Sequence, residues 1–399
     1  MNAAAIRAGI PLLSRNPVHY LDNAATSLMP REVIRAAAAY DSRARANVGR
    51  GVYAWAEDAT AEYEKARAAT AAALGAAADE IVFCGGATAA LNMIAAGVCE
   101  SMNENDSVWL AADNHHSNII PWQIAAARRG FALRRLPAKP SGAVDLPAAQ
   151  KMFAAARGNI KAVAVSHASN VSGEITNLPR LAEIAKSRGA ILVADGAQYA
   201  PHGMPDMKKL GADFYAFSGH KCYAPNGIGV LWGRKTLLDS IPPPCGGGGM
   251  AAHASMEEFT CRPAPHKWEA GTPPISQAVA FAAALKWMQK KNISAARVET
   301  RALAKELREG LAKMPGVRML GVADGAPIVS FCANAHPHDI CQILAMHNVA
   351  ARGGHHCAQP LMRHWNINGC TRFSIAPYNT AEDIEAALAA AARALKILQ

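Results

Sequence analysis

Short apolar runs alternate with helical patterns between residues 80 and 232, and this alternation limits the chain to one class of fold. The runs are Glu80–Cys84, Val108–Ala111, Ala162–Ser166, Ile191–Ala194, Phe214–Phe217 and Gly229–Trp232. Strands that take turns with helices imply a mainly parallel sheet covered by helices on both faces. In such sheets the ligand groups gather where the strands end along one edge. Val18–Asp22 reads as an entry strand ending in Asn23-Ala-Ala-Thr26, followed by helices over about 31–46 and 58–74. A helical stretch covers about 275–314. After it come a strand Ile328–Cys332, a helix from about His338, a strand Ala350–Arg352, a loop through Cys357 and a strand Thr371–Ala376. A final helix opens at Thr380-Ala-Glu-Asp383, a capping box with Asp in place of Glu.

At 399 residues the chain is too long for one small core. The expected division is a large domain over 18–285 and a smaller α+β domain over 1–17 and 286–399. Pro242-Pro-Pro-Cys-Gly-Gly-Gly-Gly249 interrupts the pattern as a mobile loop near the site rather than a linker, since similar strand and helix material follows it.

Hydrophobic residues make up 51% and charged residues 18%, an ordinary globular composition. The formal net charge is +10. The cations are scattered, with nothing denser than Arg128-Arg129, Arg134-Arg135 or Lys290-Lys291. A nucleic-acid groove needs clustered charge, so anionic small molecules are the expected partners. The nine cysteines show no CxxC and no regular spacing, and Cys84, Cys99, Cys332 and Cys341 sit in apolar context. Free thiols in a reducing, cytoplasmic compartment are expected. No apolar run reaches membrane-spanning length, and Met1–Pro11 lacks a signal core, so neither a membrane span nor export is expected.

Two segments carry chemistry together. Asp195-Gly-Ala-Gln198 ends one apolar run, and Ser218-Gly-His-Lys221 ends the next, with the carboxylate and the amine 26 positions apart. A lysine can form a Schiff base with the aldehyde of pyridoxal 5'-phosphate (PLP), and a carboxylate can keep the pyridinium nitrogen protonated. Gln198 can donate to the ring hydroxyl oxygen. Gly85-Gly-Ala-Thr88 suits a phosphate at a helix N-terminus, or equally a plain N-capped turn. It lacks the lysine of a P-loop, and Gly227-Ile-Gly229 precedes a strand, so neither nucleotide motif applies.

His115-His116 could stack on a ring and shuttle protons, or be a structural pair. No carboxylate or cysteine stands at ligand spacing, so no metal is expected. Cys357 follows His355-His356, with Arg352 five positions before it; cationic neighbours favour the nucleophilic thiolate. Gly353 and Gly354 let that loop move. Arg372, in a strand-like run, could grip a carboxylate with two hydrogen bonds or simply lie on the surface.

The chain resembles the fold-type I, class V aminotransferase-like PLP enzymes, and more narrowly the group II cysteine desulfurases, the branch that includes cysteine sulfinate desulfinases and selenocysteine lyases. The likeness runs from Tyr20-Leu-Asp-Asn-Ala-Ala25 to Ala376-Pro-Tyr-Asn-Thr380. Its most specific stretches are His115–Trp122, Ser169-Asn-Val-Ser-Gly173, Asp213–Lys221, Glu269-Ala-Gly-Thr-Pro273 and Gly354-His-His-Cys-Ala-Gln-Pro360. The last marks group II, whose cysteine is not carried on a long Ser-rich loop. The resemblance implies that Lys221 holds PLP, Asp195 the ring nitrogen and Gln198 the ring oxygen, with His115 stacked on the ring. Thr88, Ser218 and His220 would bind the phosphate, with Thr272 from a partner subunit. Asn170, Arg372 and the nearby Arg352 would hold the substrate carboxylate, and Cys357 would accept sulfur as a persulfide. It further implies L-cysteine as substrate, a homodimer, a small sulfur-acceptor protein and a place in sulfur mobilisation such as iron–sulfur cluster assembly.

The chain departs from the family pattern in three places. Arg-Gly-Thr-Thr-Glu is replaced by Gly85-Gly-Ala-Thr-Ala89, which removes one hydroxyl and two charges. Asn-Val-His-Arg is replaced by Asn47-Val-Gly-Arg50. Gly-His-Lys-Leu-Tyr-Gly-Pro-Thr is replaced by Gly219-His-Lys-Cys-Tyr-Ala-Pro-Asn226. Competing readings are a cystine or selenocysteine lyase, a sulfinate desulfinase, a kynureninase-like hydrolase, or a PLP-retaining scaffold without turnover.

Overall fold

The computed structural model describes residues 3–49 and 51–398, so Arg50 of the Asn47–Arg50 stretch lies outside the described residues. A short strand β1 (His19–Tyr20) precedes the main sheet. The main sheet is built from β2 (Ile81–Cys84), β3 (Asp106–Leu110), β4 (Ala132–Arg135), β5 (Asn159–Ser166), β6 (Ile191–Asp195), β7 (Phe214–Ser218) and β8 (Gly229–Gly233). Their order is β2-β8-β7-β6-β5-β3-β4. The run from β7 to β4 is parallel, and β8 lies antiparallel to both β2 and β7. This is the mainly parallel sheet that the alternation implies. The central strands are apolar on both faces because helices cover both, as in the Ala-Val-Ala-Val run of β5. Register sets Ser166 beside Asp195, Asp195 beside Ala216 and Ser218 beside Gly229, so the polar residues ending these strands fall along one edge.

Beyond a hairpin of β9 (Ala251–Ala254) and β10 (Phe259–Cys261) lies a second, antiparallel sheet. It comprises β11 (Arg318–Leu320), β12 (Ile328–Cys332), β14 (Arg352–Gly354) and β15 (Cys370–Ser374) in the order β11-β12-β15-β14. The strand β13 (Val349–Ala350) pairs with β1 instead. Helices Pro337–Met346 and Ala381–Leu398 pack on this sheet around Val329, Phe331, Phe373 and Ile384.

Asp383 ties several segments together. Its buried carboxylate receives Arg7 at 3.1 Å, His19 at 2.8 Å and the Asn379 amide at 2.9 Å. It also accepts the Thr380 N–H at 3.1 Å, the reach-back half of the expected capping box.

Several elements differ from the sequence expectation. Strand β4 was not foreseen: Arg134-Arg135 masks it, since an exposed edge strand tolerates and benefits from charge. The 275–314 stretch is two helices, Ile275–Lys290 and Ile293–Ala312, separated where Asn292 turns left-handed at φ +48°. The helix expected over 58–74 begins at Ala54, and it ends where Gly75 takes φ +63° as its C-cap. The strand expected at 350–352 is offset, with β14 covering Arg352–Gly354. Cys84 and Cys99 are buried, while Cys332 and Cys341 are half-buried. Among the described residues, no helix is long and apolar enough to cross a membrane.

Candidate active site

The strand ends open into a cleft between the two sheets. It is lined by Thr88, His115, Asn170, Asp195, Gln198, Ser218, His220, Lys221, Arg352, Cys357 and Arg372. The structure thus gathers every expected site residue except Thr272, which lies exposed and outside this lining in the single chain.

Asp195 ends β6 with its carboxylate buried and Oδ1 accepting the Ala197 N–H at 2.9 Å. Burial raises its pKa, while the Ala197 amide and the Lys221 charge pull the other way. Gly196 is required here, because a Cβ would sit 2.1 Å from the Tyr215 ring. Gln198 spends one amide N–H on Ala24 O at 2.8 Å, which leaves the second for a ligand. Lys221 sits in the turn that follows β7. Burial lowers its pKa to about 8; Asp195 opposes that drop and Arg372 adds to it. A sizeable fraction of its amine is therefore neutral and nucleophilic near neutral pH.

At the other end of the cleft, the helix Ala87–Val98 points its N-terminus inward. Ser218 Oγ accepts the Ala87 N–H at 2.8 Å, and Thr88 Oγ1 lies 2.7 Å from Ser117 Oγ. Backbone can approach closely because Gly229 lacks a side chain: a Cβ there would lie 2.4 Å from Gly86 Cα. His220 lines this end, with its Nδ1 3.2 Å from Thr26 Oγ1. Burial and the Lys221 charge lower its pKa to about 4, so it is a neutral hydrogen-bonding group. A helix N-terminus flanked by hydroxyls and an imidazole is a site for a phosphate dianion.

His115 Nδ1 accepts the Ser117 N–H at 3.1 Å, which puts the proton of the neutral ring on Nε2. Burial, then Lys221, lowers its pKa to about 4. Its neighbour His116 points elsewhere. The His116 N–H donates to Cys357 O at 2.8 Å, and the Gln359 N–H reaches His116 Nε2 at 3.4 Å. The histidine pair therefore faces the cleft with one member and braces the cysteine loop with the other.

That loop holds two successive non-glycine residues in the left-handed region, His356 at φ +53° and Cys357 at φ +55°. Each costs about 1 kcal/mol over an ordinary conformation. His356 is buried with Nε2 3.0 Å from Cys370 O, and its carbonyl accepts the Asn170 amide at 2.7 Å. These bonds hold the exposed Cys357 thiol at the cleft wall.

Arg372 is buried on β15. It donates from Nη2 to Asp22 Oδ1 at 2.9 Å and from Nη1 to Asn170 O at 3.1 Å. Its register partner across β14 is Arg352. Burial lowers the Arg372 pKa, the Asp22 carboxylate pulls it back up, and Arg352 adds to the lowering. Buried polar atoms without a partner include Arg372 Nε, Asn170 Oδ1 and His356 Nδ1. Two guanidiniums beside one carboxylate and an unsatisfied N–H make a receptor for a further anion.

Two contributors carried no assigned role in the sequence. Asp22 belongs to the Tyr20–Ala25 stretch, but nothing local connects it to Arg372, 350 residues away. Arg67 is 1% exposed and grips Glu269 with bonds of 2.7 and 2.9 Å. Glu269 also accepts the Tyr63 hydroxyl at 3.0 Å and the Phe83 N–H at 2.7 Å. This buried pair anchors the Glu269–Pro273 loop to β2, just ahead of the Gly85–Thr88 turn. Gly271 N–H in turn meets Gly248 O at 2.7 Å, which places the glycine run of 246–249 beside the same loop. A glutamate in a resembling motif was the available signal, and a helix-borne arginine was not.

The donor set fits PLP. A lysine with a depressed pKa, a buried carboxylate with an uncommitted oxygen, an amide with a spare N–H and a phosphate cradle share one cleft, and each matches one functional group of that cofactor.

The sequence model of the aminotransferase class-V family matches residues 19–387. A probable cysteine desulfurase of Vibrio cholerae is 37% identical, with all of both chains covered. The apo structure of the cysteine desulfurase from Thermococcus onnurineus superimposes with a TM-score of 0.93 at 38% identity, covering 99% of this chain and 98% of that one. The crystal structure of cysteine desulfurase CsdA from Escherichia coli, in an S-sulfonic acid form, gives a TM-score of 0.93 at 36% identity with both chains covered in full.

Proposed function

The chain belongs to the class-V aminotransferase family, within its cysteine desulfurases, and from that premise we propose that it is a PLP-dependent enzyme converting L-cysteine to L-alanine, with the sulfur passed to Cys357. The observation that carries this reading is that Cys357, Lys221 and Arg372 line one cleft.

When bound, PLP supplies an aldehyde for amines and a ring that accepts electrons from the substrate Cα. Lys221 is the amine that anchors it, and its depressed pKa suits it to return as a base near neutral pH. Asp195 would keep a proton on the ring nitrogen, and its burial would strengthen that ion pair. Gln198 would offer its spare N–H to the ring oxygen, and His115, a neutral imidazole, would contact the ring. Thr88, Ser218, His220 and the helix N-terminus at Ala87 take the phosphate. Arg372, with Asn170 and Arg352, takes the substrate carboxylate and so aims the side chain at Cys357. Lys221 carries the α-proton. The Cys357 thiolate attacks the substrate sulfur: an S–S bond forms, the C–S bond breaks, and the bonding pair stays with the substrate carbon, which is reprotonated to alanine.

Thr272 is proposed to complete the phosphate site of a second subunit in a homodimer, which accords with its exposure in the single chain. Delivery of the persulfide sulfur to a small acceptor protein, a cytoplasmic setting and a part in iron–sulfur cluster assembly belong to the same proposal. So does the domain division at 285/286, which a second hydrophobic cluster drawn mainly from residues 304–395 supports; Leu21 joins that cluster, and Ile6, Ile10 and Leu13 of the N-terminal segment pack in the larger one.

The deciding experiment is incubation of the PLP-loaded protein with L-cysteine and a reductant, with alanine and sulfide quantified together. Equal amounts of both are expected. Pyruvate with sulfide would replace this reading by a β-eliminating lyase. Turnover confined to selenocysteine or cysteine sulfinate would move it to the other branch.

A further inference from the structure

Among the described residues, three arginines hold a buried Nε without a hydrogen bond: Arg234, Arg301 and Arg372. Two of them stand beside a carboxylate, Asp213 at 2.8 Å from Arg234 and Asp22 at 2.9 Å from Arg372. Arg301 forms neither an ion pair nor a hydrogen bond among the described residues. It is half-buried on the helix Ile293–Ala312, four positions after the half-buried Arg297, and like charges at that spacing repel. Arg297 has no carboxylate either. It lies 4.7 Å over the Tyr199 ring and donates to the Tyr199 hydroxyl at 3.0 Å and to His202 O at 3.2 Å. His202 Nδ1 is a further buried atom here without a partner. Burial, then Arg297 and Arg301, lowers the His202 pKa to about 3, so its ring is neutral and can place its one N–H on Nδ1. These residues meet at a small cavity. Gln198, Tyr199, His202, Arg297 and Arg301 line it, and no carboxylate does. Its volume is about 10 Å³, the room of one water-sized sphere. Gln198 also lines the main cleft, so the cavity lies behind the turn that carries it.

We propose that this cavity binds a single halide ion, such as chloride, held by Arg297, Arg301 and the His202 ring. Two half-buried cations without a carboxylate carry a desolvation cost that a negative charge offsets. A water molecule could satisfy Arg301 Nε and His202 Nδ1, but it would leave both guanidinium charges uncompensated. The size of the cavity selects the class of anion. Phosphate, sulfate and carboxylates need more room than one water, whereas a monatomic ion does not. The donors suit such an ion as well. Arg297 commits two of its five N–H groups and Arg301 none. A monatomic anion accepts from any direction, so donors that converge from a helix and from a separate turn need share no plane. The ion would tie the helix Ile293–Ala312 to the segment Gln198–His202. The site stands independently of the reaction assigned to the cleft.

The test uses the full-length, PLP-loaded protein, so that the phosphate cradle of the cleft does not take the halide, exchanged into halide-free buffer. Thermal unfolding is followed as sodium chloride replaces sodium gluconate at constant ionic strength, which holds screening fixed. The midpoint should rise by at least ~2 °C over about a hundredfold increase in chloride, in step with its logarithm once the site is filled. Arg301→Gln removes one of the two cations and should lose this dependence. Crystals of the parent protein grown with sodium bromide give a reading that needs no variant: diffraction at the bromine edge should show an anomalous peak in the cavity, in contact with Arg297, Arg301 and His202. A midpoint that ignores chloride, an equal chloride response in Arg301→Gln, or a cavity that holds water and no anomalous peak would each overturn the proposal.

Discussion

Asp22 holds the Nη2 end of the Arg372 guanidinium at 2.9 Å, while Nε of the same group is buried without a partner. The carboxylate, with the Asn170 carbonyl on Nη1, thus fixes the plane of the guanidinium in the cleft wall. Asp22→Ala should raise the KM for L-cysteine about 10-fold, equal to loss of one charge-assisted hydrogen bond of about 1.5 kcal/mol, with kcat within about twofold. Asp22→Asn keeps an acceptor for Nη2 and should stay within about threefold of the parent KM. Steady-state kinetics on the two variants checks this; equal damage in both would mean that charge, not orientation, is what Asp22 supplies.

Cys357→Ser should lose sulfide release from L-cysteine by at least ~10³-fold while the visible spectrum of bound PLP is retained, because an alkoxide is a poor nucleophile toward sulfur and the cofactor pocket is untouched. Release of selenide from selenocysteine by the same variant should persist. Parallel assays of the two substrates read both expectations, and undiminished sulfide release would remove Cys357 from the mechanism.

The depressed pKa of Lys221 sets a pH dependence. Only its neutral amine takes the aldehyde, so the initial rate of PLP uptake by apoprotein should climb through pH 8 and fall about 10-fold per unit well below it. Stopped-flow absorbance measures the profile, and borohydride should fix the cofactor to the parent but not to Lys221→Ala. Linkage gives a second readout. Between about 8 and 10.5 the unfolded chain binds a proton at this lysine that the folded apoprotein does not, so this group makes apoprotein stability rise with pH across that window.

Arg67 and Glu269 form a buried pair, and the loss of one partner strands the other. Arg67→Met or Glu269→Gln should each cost about 3–5 kcal/mol, measured by denaturant unfolding. The double variant should recover part of that loss. Because Glu269 also anchors β2 through the Phe83 N–H, each single variant should weaken PLP binding as well, read by fluorescence titration.

The two sheets, the order of elements and most of the cleft were legible in the sequence because each strand-end residue sits directly after an apolar run. Asp195 and Lys221 needed no tertiary information beyond that. What stayed hidden depends on contacts between distant segments. The Asp22–Arg372 pair joins residues 350 positions apart, and the Arg67–Glu269 pair joins residues 202 apart. The division of labour within His115-His116 was equally invisible: adjacent imidazoles look alike until the Cys357 loop packs on one of them. Strand β4 was masked by its own exposed arginines.

Asp383 gives the protein a mechanical link that its two sheets alone would not. Arg7 and His19 both close on this carboxylate from one side, and the helix Ala381–Leu398 carries it from the other. His19 stands three residues before Asp22 on the same short segment. A pull on the first helix, or a slip of the last one, is therefore felt as a shift in the residue that aims Arg372. The enzyme's grip on a substrate carboxylate is in this sense spliced into the clasp that closes its fold.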